Sequence, residues 1–471
     1  MKWTTKPSIL LASRFQSLDT NRFDCIELYS DSGAPQWRYQ LRIVDRQATK
    51  NGGPPCAVVL IPAGRESEYI FNSKRGLQSV AASANCSRLI AVAFQRLSHY
   101  ASQESVQEEL REMVVYLCQD GIFLLSTKQR QQSPKLENSL QIPFLALQGL
   151  GERNVLARGS TPSTGEYIVE QTLVESQQWA RRLYFLNNPN VIQSQVYLKQ
   201  SVGCNNNYED DLLDDEEDGQ KNNQGQQIDT MQLAFEYHTQ MVAGYLMLQT
   251  NRPHTNALVV GLGGGGLPNF LQTTMFERVT AVELDPGVVE IARKHFELNE
   301  SINVMVGNGL EIGNKLPLTE QQDLLVIDVD SKDISVGMTC PPKDFVSTSY
   351  LEKIKSLVQG VLAINVSARD PALLQQVESH LLQVYGDGNV YLSKDDSSNK
   401  DDEEAAVNVV LFAVQNASPN ASETDHVKSQ CDKMGFIPEL TSDIINYATE
   451  LKTVKQQQTK KNKKKRNSKK R

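Results

Sequence analysis

Leu258 to Leu271 reads LVVGLGGGGLPNFL. An apolar run meets a knot of glycine, and a second apolar run resumes beyond it. Five of the six positions from Gly261 to Gly266 are glycine, with Leu262 the exception. A stretch so bare gives the chain tight turns and close backbone approach to something else. The residues before it fit a buried strand and those after it a helix. A glycine-rich loop in that position turns backbone N–H groups toward a ligand.

The next strand sharpens the reading. VTAVELDP, 279–286, places Glu283 near the strand's end, 22 residues after Gly261. A carboxylate there can accept both ribose hydroxyls of a nucleoside. No GKS or GKT follows the glycines, which excludes a phosphate-gripping P-loop. Gly261, Gly263 and Gly266 match the dehydrogenase pattern GxGxxG literally. The choice between a dinucleotide and S-adenosylmethionine therefore rests on later strands.

GNGLE, Gly307 to Glu311, follows the third strand, and Asn308 is expected at an adenine edge, where its amide can donate and accept. The fourth strand ends LLVIDVDSKD, 324–333. Asp328 and Asp330 fall at its carboxyl end, the usual ligand crevice of an open sheet. Two residues apart in extended chain, they are expected to share a face. An acidic rim there suits a cationic sulfonium and an amine acceptor. The competing reading is a polar loop with turn-favouring aspartates.

Around this core, strand-like and helix-like segments alternate from Asp229 to Val414, which predicts an open α/β sheet. MQLAFEYHTQMVAGYLMLQ, 231–249, reads as the helix ahead of it. EYIVEQTLV, RRLYFLNN and NVIQSQVYLK, between Glu166 and Lys199, read as a meander of strands. Upstream, strands are expected at 23–29, 37–44, 56–62, 87–94 and 121–126, with an amphipathic helix at 103–117. The expected organisation is a mixed α/β region at 1–154, a small β-rich module at 155–203 and a linker at 204–227. A sheet domain at 228–418 and a C-terminal extension at 419–471 complete it.

The net charge of -8 conceals two opposed blocks. Glu209 to Asp218 holds eight acids in ten residues, and Lys460 to Arg471 holds nine bases in twelve. Neither can pack a core, so a solvated acidic linker and a solvated basic tail are expected. The tail invites weak RNA or ribosome contact, but no aromatic platform is interleaved with it. It can also meet the acidic linker within the chain. Seven scattered cysteines without a CxxC pair argue for a reducing, cytoplasmic setting and against zinc or any other metal. No stretch reaches membrane-spanning length, so no membrane partner is expected. Oligomeric state stays open.

Together these segments resemble the class I, seven-stranded, Rossmann-like methyltransferases that use S-adenosylmethionine, and more narrowly their spermidine synthase-like branch. LVVGLGGGGLP, AVELDP, VIDVDSKD, GMTCPPKDFV and GVLAINVSARD are similar to the C-terminal domain of the dual methyltransferase family of translation elongation factor one-alpha. CAVVLIPAGRESEYIF, RRLYFLNNPNVIQS and HTQMVAGYLML resemble the stretch that precedes that domain. The likeness runs over nearly all of residues 1–430.

In that family the C-terminal domain methylates the α-amine of the elongation factor, and a separate N-terminal domain methylates a lysine. The region before Lys50 contains no second glycine loop, so the lysine activity is not expected here. The resemblance implies that Gly261, Gly263, Gly265 and Gly309 line the cofactor loops, that Glu283 binds ribose and that Asn308 meets adenine where many relatives carry an acid. It further implies that Asp328 faces the methionine end or the acceptor, with Asp330 and Asn365 beside it. His238 and Gln240 would close the cofactor pocket, although a lone histidine there can equally be structural. Within the module, RRLYFLNNPNVIQS resembles the part that ends in a glutamine in the spermidine synthase-like branch, here Gln193.

Two rivals remain. A polyamine aminopropyltransferase commonly carries an aspartate within its glycine loop, and the corresponding residue here is Gly264. A catalytically inactive scaffold for the elongation factor is the other.

Overall fold

The computed structural model describes residues 18–30, 37–46, 56–96, 98–118, 142–146, 153–174, 178–188, 191–199, 227–249, 254–318, 320–330, 337–394, 407–415 and 424–456. The acidic block, the basic tail and the strand expected at 121–126 lie outside them. The chain forms two compact units, Met1–Asn154 with Gln171–Gln177, and Val155–Glu170 with Gln178–Arg471.

The first unit holds strands β1 (Phe23–Leu28), β2 (Tyr39–Asp45), β3 (Cys56–Leu60), β4 (Arg88–Phe94) and β5 (Phe144–Ala146), with helices α1 (Tyr69–Asn72), α2 (Lys74–Ser83) and α3 (Gln103–Leu117). The sheet order is β1-β2-β4-β3-β5. β3 runs parallel to both neighbours. Its side chains alternate between two cores, as the period of a strand requires. Val58 and Leu60 join α3's Leu110 and Val114, while Ala57 and Val59 join α2's Leu77 and Ala81. Helices therefore cover both faces. Arg88 is fully buried at the strand edge, where its guanidinium donates twice to Asp45 and once to the Leu117 carbonyl.

The next four strands, β6 (Arg153–Thr161), β7 (Gly165–Leu173), β8 (Trp179–Phe185) and β9 (Ser194–Tyr197), form a sheet in sequential order. Helix α4 (Glu236–Leu248) follows. It starts later than its apolar pattern suggests, because Asp229 takes the Met231 N–H into a local turn.

The large sheet uses β10 (Asn256–Val260), β11 (Arg278–Glu283), β12 (Asn303–Val306), β13 (Gln322–Ile327), β14 (Met338–Cys340), β15 (Val358–Ala368), β16 (Val390–Lys394), β17 (Val407–Val414) and β18 (Lys452–Thr453). Between them lie α5 (Gly266–Thr274), α6 (Pro286–His295), α7 (Thr348–Lys355), α8 (Pro371–Tyr385), α9 (Thr424–Met434) and α10 (Pro438–Glu450). The order is β12-β11-β10-β13-β15-β17-β16-β18, with β14 pairing β15 off that path. The run β12 to β15 is parallel and β17 inserts antiparallel. Strand β10 feeds its neighbours on both sides, so the order reverses at its carboxyl end. That is where an open sheet forms a ligand crevice.

Both faces of this sheet are buried, which explains its near-continuous apolar strands. Ala257 and Val259 pack with Met241, Phe270 and Leu271 on one side. Leu258 and Val260 pack with Leu351, Ile354 and Leu381 on the other. The C-terminal extension shows no βα alternation in sequence, yet α9 and α10 add Val427, Cys431, Phe436, Leu440, Ile444 and Ala448 to the first core. Among the described residues, no helix is long and apolar enough to cross a membrane, and no group of three His, Cys, Asp or Glu could hold a metal.

Candidate active site

The glycine loop leaves β10 and meets the end of β13 almost at once. Gly261 adopts φ +100°, a conformation open chiefly to glycine. A Cβ there would stand 2.0 Å from the Asp328 carbonyl oxygen. Asp328 N–H in turn donates to the Val260 carbonyl at 2.9 Å. The loop and the acid are thus set against one another by backbone alone. Gly263 and Gly265 also take positive φ, and α5 begins after Gly265 without a side-chain cap. Its first N–H groups are the kind a ligand can use.

Glu283, at the end of β11, is held by two backbone donors. Leu262 N–H meets Oε2 at 3.1 Å and Asp285 N–H meets Oε1 at 3.0 Å. Each oxygen keeps a lone pair for a hydroxyl. Leu284 and Val306 stand beside it unusually exposed for their type, at 62% and 50%. Asp285 is buried and latches the β6–β7 turn, accepting from Thr161 Oγ1, Ser163 N–H, Thr164 N–H and its own helix's Gly287 N–H. Burial would raise its pKa, but these donors outweigh it and hold it below the ordinary carboxylate value.

Asn308 is exposed, and its Oδ1 accepts the Leu310 N–H at 3.0 Å, capping the turn that follows. Gly309 is buried against Val260, and its carbonyl receives the Tyr350 hydroxyl. Gly309 therefore packs the loop onto β10.

Asp328 is the centre of a side-chain cage. His238 Nε2 lies 3.2 Å from Oδ2, and the Tyr237 hydroxyl donates to the same oxygen at 3.3 Å. Asn365 Nδ2 donates to Oδ1 at 2.9 Å. Cys340 Sγ stands 4.0 Å from Oδ1 and 3.4 Å from the Asn365 carbonyl. Burial alone would push the Asp328 pKa up. The hydrogen bond and charge of His238, with the bonds from Asn365 and Tyr237, win and hold it below the usual carboxylate value. Burial pushes Cys340 well up, and the charges of Asp328 and Asp330 add to that, so its thiol is a poor nucleophile.

The structure brings Asp328, Asn365 and His238 together. Asp330 borders this set, and its charge acts on Tyr237 and Cys340. Its Oδ2 receives Gln193 Nε2 at 3.1 Å. The chain leaves the sheet after Ile327, so the strict alternation that predicted a common face no longer applies. Next to Gln193, Ser194 Oγ accepts the Gly264 N–H at 2.6 Å and ties the small sheet to the glycine loop. Gln240 is buried on α4, and its Oε1 has no hydrogen-bond partner among the described residues. Asn365 Oδ1 is likewise buried without one. Sequence reading missed Tyr237 and Cys340. Tyr237 adjoins a histidine already singled out, whereas Cys340 carried no signal beyond its lone thiol.

Strand order, switch-point loop and terminal acid define the fold of the class I methyltransferases that use S-adenosylmethionine, with a small β-rich module ahead of the sheet. No protein-family model matches the chain. It is similar to the eEF1A lysine and N-terminal methyltransferase of Bos taurus, 34% identical over 75% of this chain and 51% of the relative. The Mus musculus protein of the same name is 35% identical over 74% of this chain and 50% of its own length. The chain thus spans about half the length of the curated relatives it matches. Among solved structures, human methyltransferase-like protein 13 in complex with SAH is 28% identical, covers 44% of this chain and 93% of its own, and has a TM-score of 0.36.

Proposed function

We propose that this chain transfers a methyl group from S-adenosylmethionine to an amine. We further propose that the acceptor is the N-terminal α-amine of translation elongation factor one-alpha, in the cytoplasm, with 228–418 carrying the transfer. The observation that carries the reading is the Asp328 cage, an ionised carboxylate beside a nucleoside-type loop.

The residues present fit the cofactor. Glu283 offers an acceptor on each oxygen for the ribose, with Leu284 and Val306 as exposed apolar flanks for a purine and Asn308 at its edge. In the glycine loop the N–H groups of Gly261, Leu262, Gly264 and Gly265 are already bonded, which leaves those of Gly263 and Gly266 for a ligand. The sulfonium supplies an already activated methyl.

The chain's own residues must present a neutral amine in line with that methyl and exclude water from it. Asp328 Oδ1 can accept one N–H of the amine. Asn365 Nδ2 holds that oxygen in place at 2.9 Å, while its own Oδ1 is buried out of an incoming amine's reach. One fixed acceptor helps aim the amine at the methyl. Positive charge grows on the nitrogen as the bond forms, and the ionised Asp328 stabilises it from a fixed position. A carboxylate held at low pKa is a weak base, so the amine loses its proton to solvent before transfer. An α-amine, with a reference pKa of about 8 against about 10.4 for lysine, does this more readily.

The aminopropyl reading wants an acid at Gly264. A Cβ there would meet the Phe296 ring at 2.9 Å and Ser194 Cβ at 3.0 Å, which argues against it. The test is transfer of label from S-adenosylmethionine to elongation factor bearing a free terminus. Wild type is expected to label it and D328N to lose roughly 100-fold or more in rate. Label transfer undiminished in D328N would overturn the reading. Tight cofactor binding without transfer would favour the scaffold.

A further inference from the structure

His238 lies in the first turn of α4, 8% exposed. Sequence reasoning assigns it to the cofactor wall, but its geometry points elsewhere. Nε2 is 3.2 Å from Asp328 Oδ2. The rings of Phe235 and Tyr237 stand edge-on to the imidazole at 5.5 and 4.3 Å, which fixes its plane.

The contacts divide the Asp328 carboxylate unequally. Oδ2 takes two donors, His238 Nε2 and the Tyr237 hydroxyl. Oδ1 takes one strong donor, Asn365 Nδ2, and a distant thiol. An ionised carboxylate oxygen has about two acceptor sites. Oδ2 is therefore filled by a nitrogen and an oxygen donor, whereas Oδ1 holds one such donor and the weak Cys340 thiol, which an amine N–H can displace. Without a donor on each side, the carboxylate could turn about its terminal torsion, which is broad and roughly two-fold.

We infer that His238 is a positioning residue that pins Asp328 Oδ2 and so commits Oδ1 to the acceptor amine. The inference rests on the amine-methylation reading above. It demands a proton on Nε2, because a bare ring nitrogen facing a carboxylate would repel it. Among the described residues, the charged and titratable groups around the imidazole are Asp328 from the loop after β13 and Tyr237 from its own helix, with Cys340 of β14 and Asp330 bordering Asp328.

Two variants test it. H238L removes the donor. H238Q keeps an N–H donor at similar reach but cannot hold an imidazole's second proton. In H238L, kcat should fall roughly 10–100-fold while SAH affinity by calorimetry stays within about twofold, because misplaced reacting groups are costly and the cofactor contacts lie elsewhere. H238Q should recover most of kcat. If H238L does not fold, H238Q against wild type still decides: a loss of kcat as deep as the one expected of H238L overturns a purely positioning role. Loss of SAH affinity in proportion to activity overturns it too, returning His238 to the cofactor wall.

One readout needs no activity. Nitrogen-15 NMR of the imidazoles, with the His238 signals identified by their loss in H238Q, should show Nε2 protonated. A proton confined to Nδ1 contradicts the pairing outright. A wild-type chain that binds SAH and methylates no amine would instead sink the reaction reading, and the Nε2 proton would still report whether His238 pins Asp328.

Discussion

Asp328 and Asn365, 37 positions apart in sequence, meet across the ends of two neighbouring parallel strands, Asn365 Nδ2 to Asp328 Oδ1 at 2.9 Å. The pair exists because β13 and β15 lie side by side in register, Ile327 opposite Ile364. The first prediction concerns its charge. Donors from His238, Asn365 and Tyr237 hold the Asp328 pKa below the ordinary carboxylate value against the opposing effect of burial. Its contribution to stability is therefore present above the unfolded pKa of about 3.9 and lost only as pH falls through the lower folded value. The rate profile should rise toward the acceptor's pKa of about 8 without an Asp328 inflection above about pH 4. An inflection between about pH 4 and 6 that D328N abolishes would contradict this assignment.

A second prediction isolates the nucleoside site. E283A should weaken SAH binding by at least roughly 10–100-fold by calorimetry, since even one hydrogen bond to a charged group contributes about 1.5–3 kcal/mol. The variant also frees the Leu262 and Asp285 N–H groups, so a conservative E283Q should lose less. Unchanged affinity in E283A would mean that the cofactor sits elsewhere.

The third prediction concerns the C-terminal helices. Val427, Cys431, Phe436, Leu440, Ile444 and Ala448 share one core with Met241 and Phe270. Tyr447 also donates to Glu236, at the start of the helix that carries His238. Burial of a large apolar side chain contributes about 1.5–3 kcal/mol, so ending the chain at residue 418 should destabilise the second unit by more than about 5 kcal/mol. A cooperative melt and full SAH binding in that truncation would show that the helices are dispensable.

How much of this was legible follows from how local each feature is. The glycine loop and Glu283 are separated by one helix, and their chemistry is written in residue type. The alternation of strand and helix gave the open sheet for the same reason. The cage was not legible as a set. His238 lies 90 residues from Asp328, and only the strand order brings them together. Strand β16 escaped because VYLSK carries a serine and a lysine, although Ser393 is buried. Helix α9 escaped because few of its residues are apolar, with Val427 and Cys431 the buried ones. Asp330 was grouped with Asp328 by a strand period that ends three residues too early.

Methyl transfer to a free α-amine beside Asp328 is tested most directly by incubating the chain with labelled S-adenosylmethionine and elongation factor one-alpha whose terminus is either free or acetylated, and mapping the modified peptides by mass spectrometry. Label is expected on the terminal residue of the free protein, with none on its lysines, and is expected to disappear on acetylation. Equal labelling of the acetylated protein, or label confined to a lysine, would contradict it.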